Sequence, residues 1–285
     1  MVITNKFNLP QSLVNAVSTE KHNEPGCYSA TTLLKGAKEI FLTDRHWNEI
    51  EVDVSDLVWA LFGTAVHKLL EEANPNAFTE ERFNQNVNGV NVTGQVDLYD
   101  MEEKTITDYK TASVWKVIFQ NFDDWKKQGF IYAWLLKKEG LEVKRCRFIA
   151  MLRDWTMGEA QKKADYPQSQ IYEYTFDVTE EDLSDIEKYI ESKVEEIKAN
   201  DMLLDDDIPP CTEEERWARP ATYAVMKEGR KTAVKVCDTQ EDADEYAKTV
   251  DKSHVEKREG KNVKCEGYCH CKDFCNFYKT NCVKE

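Results

Sequence analysis

The sequence predicts an α/β protein: a central mixed sheet flanked by helices, followed by a small cysteine-stapled C-terminal subdomain. Three features point there. Segments of helical periodicity alternate with segments of strand periodicity up to about residue 200. An acidic stretch ending in Pro209-Pro210 then marks a boundary, separating 1–200 from 201–285. Five of the nine cysteines crowd into the last stretch of the chain: Cys265, Cys269, Cys271, Cys275 and Cys282.

The elements follow in order. Residues 1–26 read as irregular, with Pro10, Asn23, Glu24, Pro25 and Gly26 as turn formers. Ser29 is placed to cap a helix start over Ala30–Leu34. A longer amphipathic helix runs from Asp53 or Ser55 through Glu72, with Val58, Leu61, Phe62, Ala65, Val66, Leu69 and Leu70 at helical spacing. On it, His67 and Glu71 share a face. Strands are predicted over 83–87 and 90–99, the second alternating apolar and polar residues, and a turn at 100–104 leads to a paired strand at 105–110. Further on come a helix over 121–138, strands over 143–152 and 172–176, and an acidic amphipathic helix over 180–199. Beyond the boundary, Thr222–Met226 and Thr232–Cys237 flank Lys227-Glu228-Gly229-Arg230-Lys231 as a hairpin. A short helix over 240–250 and a strand over 254–258 precede the cysteines.

At 285 residues the chain is long enough for one large domain and an appendage. It is 41% hydrophobic and 32% charged, an ordinary globular composition. No apolar run is long enough to span a bilayer, and the N-terminus lacks the basic start and apolar core of a signal peptide, so a cytoplasmic protein without a membrane partner is expected. The net charge of −15 argues against coating nucleic acid through overall charge. It leaves room for a local basic groove on an acidic body.

One pattern carries chemistry. Asp108 lies eleven residues after Asp97 and opens Asp108-Tyr109-Lys110. In a strand, residues i and i+2 share a face, so Asp108 and Lys110 stand side by side. An acid, a lysine beside it and a second acid upstream match what phosphodiester hydrolysis needs: oxygen ligands for one or two hard cations, and a cationic group facing the attacking water or the phosphate. Taken alone, an Asp-x-Lys triplet is a surface ion pair, His67 a structural histidine, Asp97 a turn residue, and Gln128 with Tyr132 plain packing. Their order along the chain is what joins them.

That order resembles the PD-(D/E)xK nuclease superfamily in its RecB-like branch, which includes CRISPR-associated RecB-like exonucleases, and the wider chain looks like proteins carried by tailed phages. The matching residues are Gly63-Thr64-Ala65-Val66-His67-Lys68-Leu69-Leu70-Glu71, Gly94-Gln95-Val96-Asp97, Asp108-Tyr109-Lys110 and Gln128-Gly129-Phe130-Ile131-Tyr132. The resemblance covers residues 28 to 155. It implies that Asp97 and Asp108 bind Mg²⁺ or Mn²⁺, with His67 as a further ligand that suits manganese and the Tyr109 carbonyl completing the shell. It implies that Lys110 acts on the water and the phosphate, with Gln128 and Tyr132 positioning the helix against it. Asp108 stands where relatives often carry the longer Glu.

Clustered thiols in a reducing compartment suit zinc or an iron–sulfur cluster. The Cys269/Cys275 spacing resembles part of the iron–sulfur staple of AddB-like and CRISPR-associated relatives, whose remaining cysteine precedes the His helix. Here that position falls near Lys35-Gly36, which is not cysteine. Cys27 lies nearby but earlier, and Cys211 is the other candidate; the favoured set is Cys211, Cys265, Cys269 and Cys275, closing the subdomain on its own start, over one containing Cys271, with a [4Fe-4S] cluster first and structural zinc second. Arg216, Arg219, Lys227, Arg230, Lys231 and Lys235, interleaved with Trp217 and Tyr223, suit either a nucleic-acid strand or a solubilising face.

The expected function is a divalent-metal-dependent deoxyribonuclease, exonucleolytic on ends or single strands in DNA processing or recombination. Its partners would be DNA and, beyond that, a second copy or a phage or host recombination protein. The rival is a catalytically silent DNA-binding accessory on the same fold.

Overall fold

The computed structural model describes residues 1–18, 26–73 and 78–283, and of residues 71 and 78–80 the backbone alone. The turn expected at Asn23-Glu24-Pro25 lies outside these residues, as does the side chain of Glu71. Two compact units form: residues 1–35 with 47–202, and residues 36–46 with 203–285. Residues 36–46, within the range read as core, thus group with the C-terminal unit.

The first unit opens with two elements where irregular chain was expected: β1 (Val2–Thr4) and α1 (Gln11–Val17). β1 runs parallel to β3 (Glu51–Asp53), pairing Val2 with Glu51. A strand whose partner lies so far along the chain has no local periodicity to announce it. β2 (Cys27–Ser29) enters α2 (Ala30–Leu33), whose cap is the expected one: the Ser29 hydroxyl accepts from the Thr32 amide. α3 (Ala37–Arg45) belongs to the second unit. A 3₁₀ turn over Val54–Leu57, capped by Asp53, leads into α4 (Val58–Ala73).

α4 leaves part of its apolar set in solvent. Phe62 and Leu69 are 54% and 67% exposed. The face laid on the sheet instead carries Gly63 and His67. A Cβ on Gly63 would sit 3.6 Å from Thr111 Oγ1, and His67 reaches Asp97.

β4 (Phe78–Val87), β5 (Val90–Asp100), β6 (Thr105–Ala112), β7 (Arg145–Leu152) and β8 (Ile171–Asp177) join β2 in a six-stranded mixed sheet. Its order is β2-β5-β6-β7-β8, with β4 also on β5. β5 is antiparallel to β4 and β6, and β6 is parallel to β7. A parallel pair needs a crossover, and the chain supplies α5 (Val114–Ile118) and α6 (Asp123–Lys138) between β6 and β7.

α6 is the central helix. Trp125, Gln128, Tyr132 and Leu135 recur at helical spacing and are buried. Two glycines let it approach closely. A Cβ on Gly94 of β5 would meet Leu135 Cδ1 at 2.6 Å and Tyr132 Cδ1 at 2.8 Å, and one on Gly129 would meet Phe176 Cζ at 2.8 Å. Phe122 stacks on Tyr174 at 4.3 Å and Trp125 on Phe148 at 5.6 Å, tying the helix to β7 and β8. After β7 come a single turn, α7 (Met157–Ala160), and, beyond β8, α8 (Glu180–Asn200). α8 starts at a capping box in which Thr179 and Asp182 exchange hydrogen bonds, and it buries Leu183, Ile186, Ile190, Val194 and Ile197.

In the second unit, β9 (Ala218–Arg219) pairs with β13 (Lys261–Asn262). The predicted hairpin is present as β10 (Thr222–Lys227) and β11 (Lys235–Cys237), with β12 (Ser253–Arg258) on the other edge of β10. α9 (Gln240–Ala247) covers this sheet through Ala243, over Val225 and Cys237. α10 (Val263–Gly267) and α11 (Asn276–Asn281) carry the cysteine stretch. α3 is bound by its charges. Buried Lys38 donates to the carbonyls of Asp205 and Ile208 at 2.8 and 2.7 Å, Arg45 and His46 hold the Asp205 carboxylate, and Glu39 pairs with Lys264 at 2.5 Å.

Candidate active site

The antiparallel ladder between β5 and β6 pairs Asp100 with Thr105, Tyr99 with Ile106 and Leu98 with Thr107, and stops there. The next opposed pair in that register is Asp97 and Asp108. Directly opposed residues of an antiparallel pair share a face, so both carboxylates project to one side where the strands part. The Tyr109 amide donates to Asp97 Oδ2 at 2.7 Å. A carboxylate thus takes the hydrogen bond that a ladder carbonyl would otherwise accept. The first carboxylate is held in place by the strand that carries the second.

His67, from α4, closes on Asp97: Nδ1 lies 3.1 Å from Oδ1. This bond to Asp97 raises the imidazole pKa against the opposing effect of burial. Asp108 is only 2% exposed. Burial raises its pKa to about 6, although the neighbouring lysine pulls the other way. Lys110 Nζ stands 2.7 Å from Asp108 Oδ1, the same-face placement expected of a strand. At that distance the Lys110 ammonium is the charged donor facing this buried oxygen. The second oxygen of Asp108 accepts from Gln128 Nε2 at 3.4 Å, and Gln128 also donates to Tyr132 Oη at 2.7 Å. Gly94, placed three residues before Asp97 by the sequence pattern, has its role here. It leaves room for the Tyr132 ring beside β5.

Every residue expected in this centre is therefore brought to it: His67, Asp97, Asp108, Tyr109, Lys110, Gln128 and Tyr132. The side chains pair with one another, Asp97 with His67 and Asp108 with Lys110. Among the described residues no three His, Cys, Asp or Glu side chains converge as a metal site. The donor set nevertheless suits a hard cation: two carboxylates on one face and an imidazole. What the sequence left unread is the Asp97–Tyr109 amide bond, which depends on strand register.

The cysteines lie in the second unit. Cys211, Cys269, Cys275 and Cys282 are near enough to Cys265 that, after burial, they help push its thiol up to about 12. Burial likewise pushes Cys211 up to about 11. Cys282, absent from the expected set, belongs to this neighbourhood. Cys271 is buried, lies 3.4 Å from the Cys269 sulfur, and has its thiol directed at the Glu39 carbonyl. The sulfur of Cys211 fills a specific place: a Cβ on Gly36 would fall 2.5 Å from it. The position where a cysteine was sought before the His helix is thus occupied in space by the sulfur of Cys211. The basic residues expected on this unit divide. Arg216 is used internally, stacked 4.4 Å over Phe277 and bonded to Asn262, whereas Arg219, Lys227, Arg230, Lys231 and Lys235 are exposed.

No protein-family model matches the chain, and no curated protein matches it. Distant likenesses exist among solved structures. SSO0001 is 18% identical with a TM-score of 0.46, over 65% of this chain and 82% of that one. The alkaline exonuclease LHK-Exo of Laribacter hongkongensis is 11% identical with a TM-score of 0.40, over 67% and 94%. A putative exonuclease of Eubacterium rectale is 14% identical with a TM-score of 0.34, over 68% and 73%.

Proposed function

We propose that the chain is a divalent-metal-dependent deoxyribonuclease of the PD-(D/E)xK type, acting on DNA ends or single strands. The observation that carries this reading is the placement of Asp97 and Asp108 opposite each other at the fork of β5 and β6, with Lys110 beside the second. Asp97, Asp108 and His67 are the residues that would hold Mg²⁺ or Mn²⁺, with the Tyr109 carbonyl as a further donor. When bound, the cation supplies charge neutralisation at the scissile phosphate and a more acidic water.

The chain's own residues do the rest. The Tyr109 amide fixes Asp97 Oδ2, and His67 holds Oδ1 until a cation takes its place between them. Gln128 fixes the orientation of Asp108 and is itself held by Tyr132. Lys110, one side of it on Asp108, presents its ammonium to the phosphate and offsets the negative charge that grows as water attacks phosphorus and the strand oxygen leaves. The aromatic face of Phe148, 5.6 Å from Lys110 Nζ, limits where that ammonium can go. Cys211, Cys265, Cys269 and Cys275 are proposed to hold a [4Fe-4S] cluster, or zinc, as a structural staple of the second unit. What supports this is that Cys211, Cys269 and Cys275 each lie near enough to raise the Cys265 thiol, together with the seating of Cys211 on Gly36.

The test is cleavage of end-labelled linear and circular DNA with Mn²⁺. Linear DNA should be degraded and circular DNA spared, and both Asp108→Ala and Lys110→Ala should abolish degradation with unchanged circular dichroism. Full activity of either variant overturns the assignment. Binding without cleavage by the unaltered protein turns the reading to a silent DNA-binding accessory.

A further inference from the structure

Two exposed aromatic pairs flank the carboxylate centre and are not accounted for by packing. On α4, Trp59, Gly63 and His67 follow one another at intervals of four, along one face. Gly63 lies on Thr111 and His67 on Asp97, so Trp59 continues the same line past the C-terminal end of β6. It is half exposed, 5.6 Å from the ring of Phe62. Arg153 lies over the Trp59 ring at 4.9 Å, and the Arg153 amide donates to the carbonyl of Ala112, the last residue of β6. The neighbouring Asp154 receives the Ser113 hydroxyl and the Val114 amide, both at 2.6 Å, and so fixes the start of α5. There Trp115 stacks on Phe119 at 5.6 Å, with both rings exposed. Two adjacent residues after β7 therefore anchor both aromatic pairs at the same end of the catalytic strand.

Resting on the nuclease reading above, we propose that Trp59, backed by Arg153, and the Trp115–Phe119 pair stack unpaired bases of a single-stranded DNA end that passes the Asp97–Asp108–Lys110 centre. The chemistry favours bases over a protein surface. Every nucleobase offers a π-face to an exposed ring, and stacking tolerates any sequence. An arginine on the ring supplies the cation that a phosphate chain needs alongside. The distance also fits. Eight residues of helix place Trp59 about 12 Å along the axis from His67, within a few nucleotides of the scissile phosphate. The arrangement explains why rings of this size stand in water on a protein that carries a net charge of −15. Stacking supplies affinity that overall charge does not.

The test is fluorescence anisotropy with two labelled oligomers of equal length, one of thymidine nucleotides and one of abasic nucleotides, in Ca²⁺ at fixed salt. The unaltered protein should prefer the base-bearing oligomer by about tenfold or more. Trp59→Ala should lose about tenfold on that oligomer and little on the abasic one, and Trp59→Phe should recover most of the loss. Trp115→Ala should act in the same sense. Equal affinity of the unaltered protein for both oligomers, or equal losses by Trp59→Ala on both, overturns the proposal. So does a Trp59→Ala variant whose only change is a smaller sedimentation coefficient, since that makes the patch a contact between copies of the chain. Cleavage by the unaltered protein in Mn²⁺ is scored separately. Its absence sinks the nuclease reading, whereas cleavage with no preference for bases sinks the stacking alone.

Discussion

Asp108 is a buried carboxylate whose pKa is raised by burial to about 6. A folded-state pKa above the ordinary 3.8 means that its contribution to stability is fully present below pH 3.8 and is lost as pH rises through 6. The difference corresponds to on the order of 3 kcal/mol. Asp108→Asn removes the charge and keeps the shape. The metal-free variant should therefore melt several degrees above the unaltered protein at pH 8, with the gap closing toward pH 5. The same substitution should cost about 10²–10³-fold or more in cleavage, as should Lys110→Ala. A variant that is both more stable and inactive would mark Asp108 as a position where stability is given up for function. The pH dependence has one sign throughout. The pKa of His67 is raised by Asp97 and that of Asp108 by burial, and both must lose a proton to ligate a cation. Cleavage should rise between pH 5 and 8, and Mn²⁺ should raise the melting temperature more at pH 8 than at pH 5.5.

At the scale of elements, the centre depends on how near α6 comes to β5. Gly94→Ala would press a methyl against Leu135 and Tyr132, an overpacking that costs about 1–3 kcal/mol. It would also displace Tyr132 and with it the Gln128 that holds Asp108. Thermal denaturation and cleavage should fall together in this variant, whereas Gln128→Leu should lower cleavage with a smaller loss of stability. Most elements were legible because their signals are local. Ser29 announced a helix start, and alternation announced β5, with β6 as its partner across a turn. Others were not, among them β1, α1 and α3. β1 depends on β3, a partner far along the chain, and α1 and α3 are short helices. α4 was legible as an amphipathic helix, and of its apolar set Phe62 and Leu69 are exposed. Apolar spacing along a helix marks a face, and only the sheet decides which face it receives.

At the scale of the whole molecule, the second unit is a chain of long-range ties. Lys38→Ala would leave the carbonyls of Asp205 and Ile208 without their donor, and a loss of about 2–4 kcal/mol is expected in the melting of that unit. If the thiols hold a cluster, anaerobically purified protein should absorb in the visible with stoichiometric iron and sulfide, and Cys211→Ala and Cys265→Ala should each lose it. Colourless protein with one equivalent of zinc would select the alternative ligand. By itself the sequence placed Asp108 beside Lys110 on one strand face, with Asp97 upstream on the paired strand. That His67, Gln128 and Tyr132 join them was implied only by the resemblance, and packing between distant segments brings them there. The tertiary structure alone decided that the β5–β6 ladder stops at Asp97 and Asp108, that the Tyr109 amide turns to Asp97, and that Cys211 lies on Gly36. Each of these joins atoms through register or packing between distant segments, and periodicity along a chain carries no record of which distant segment comes near.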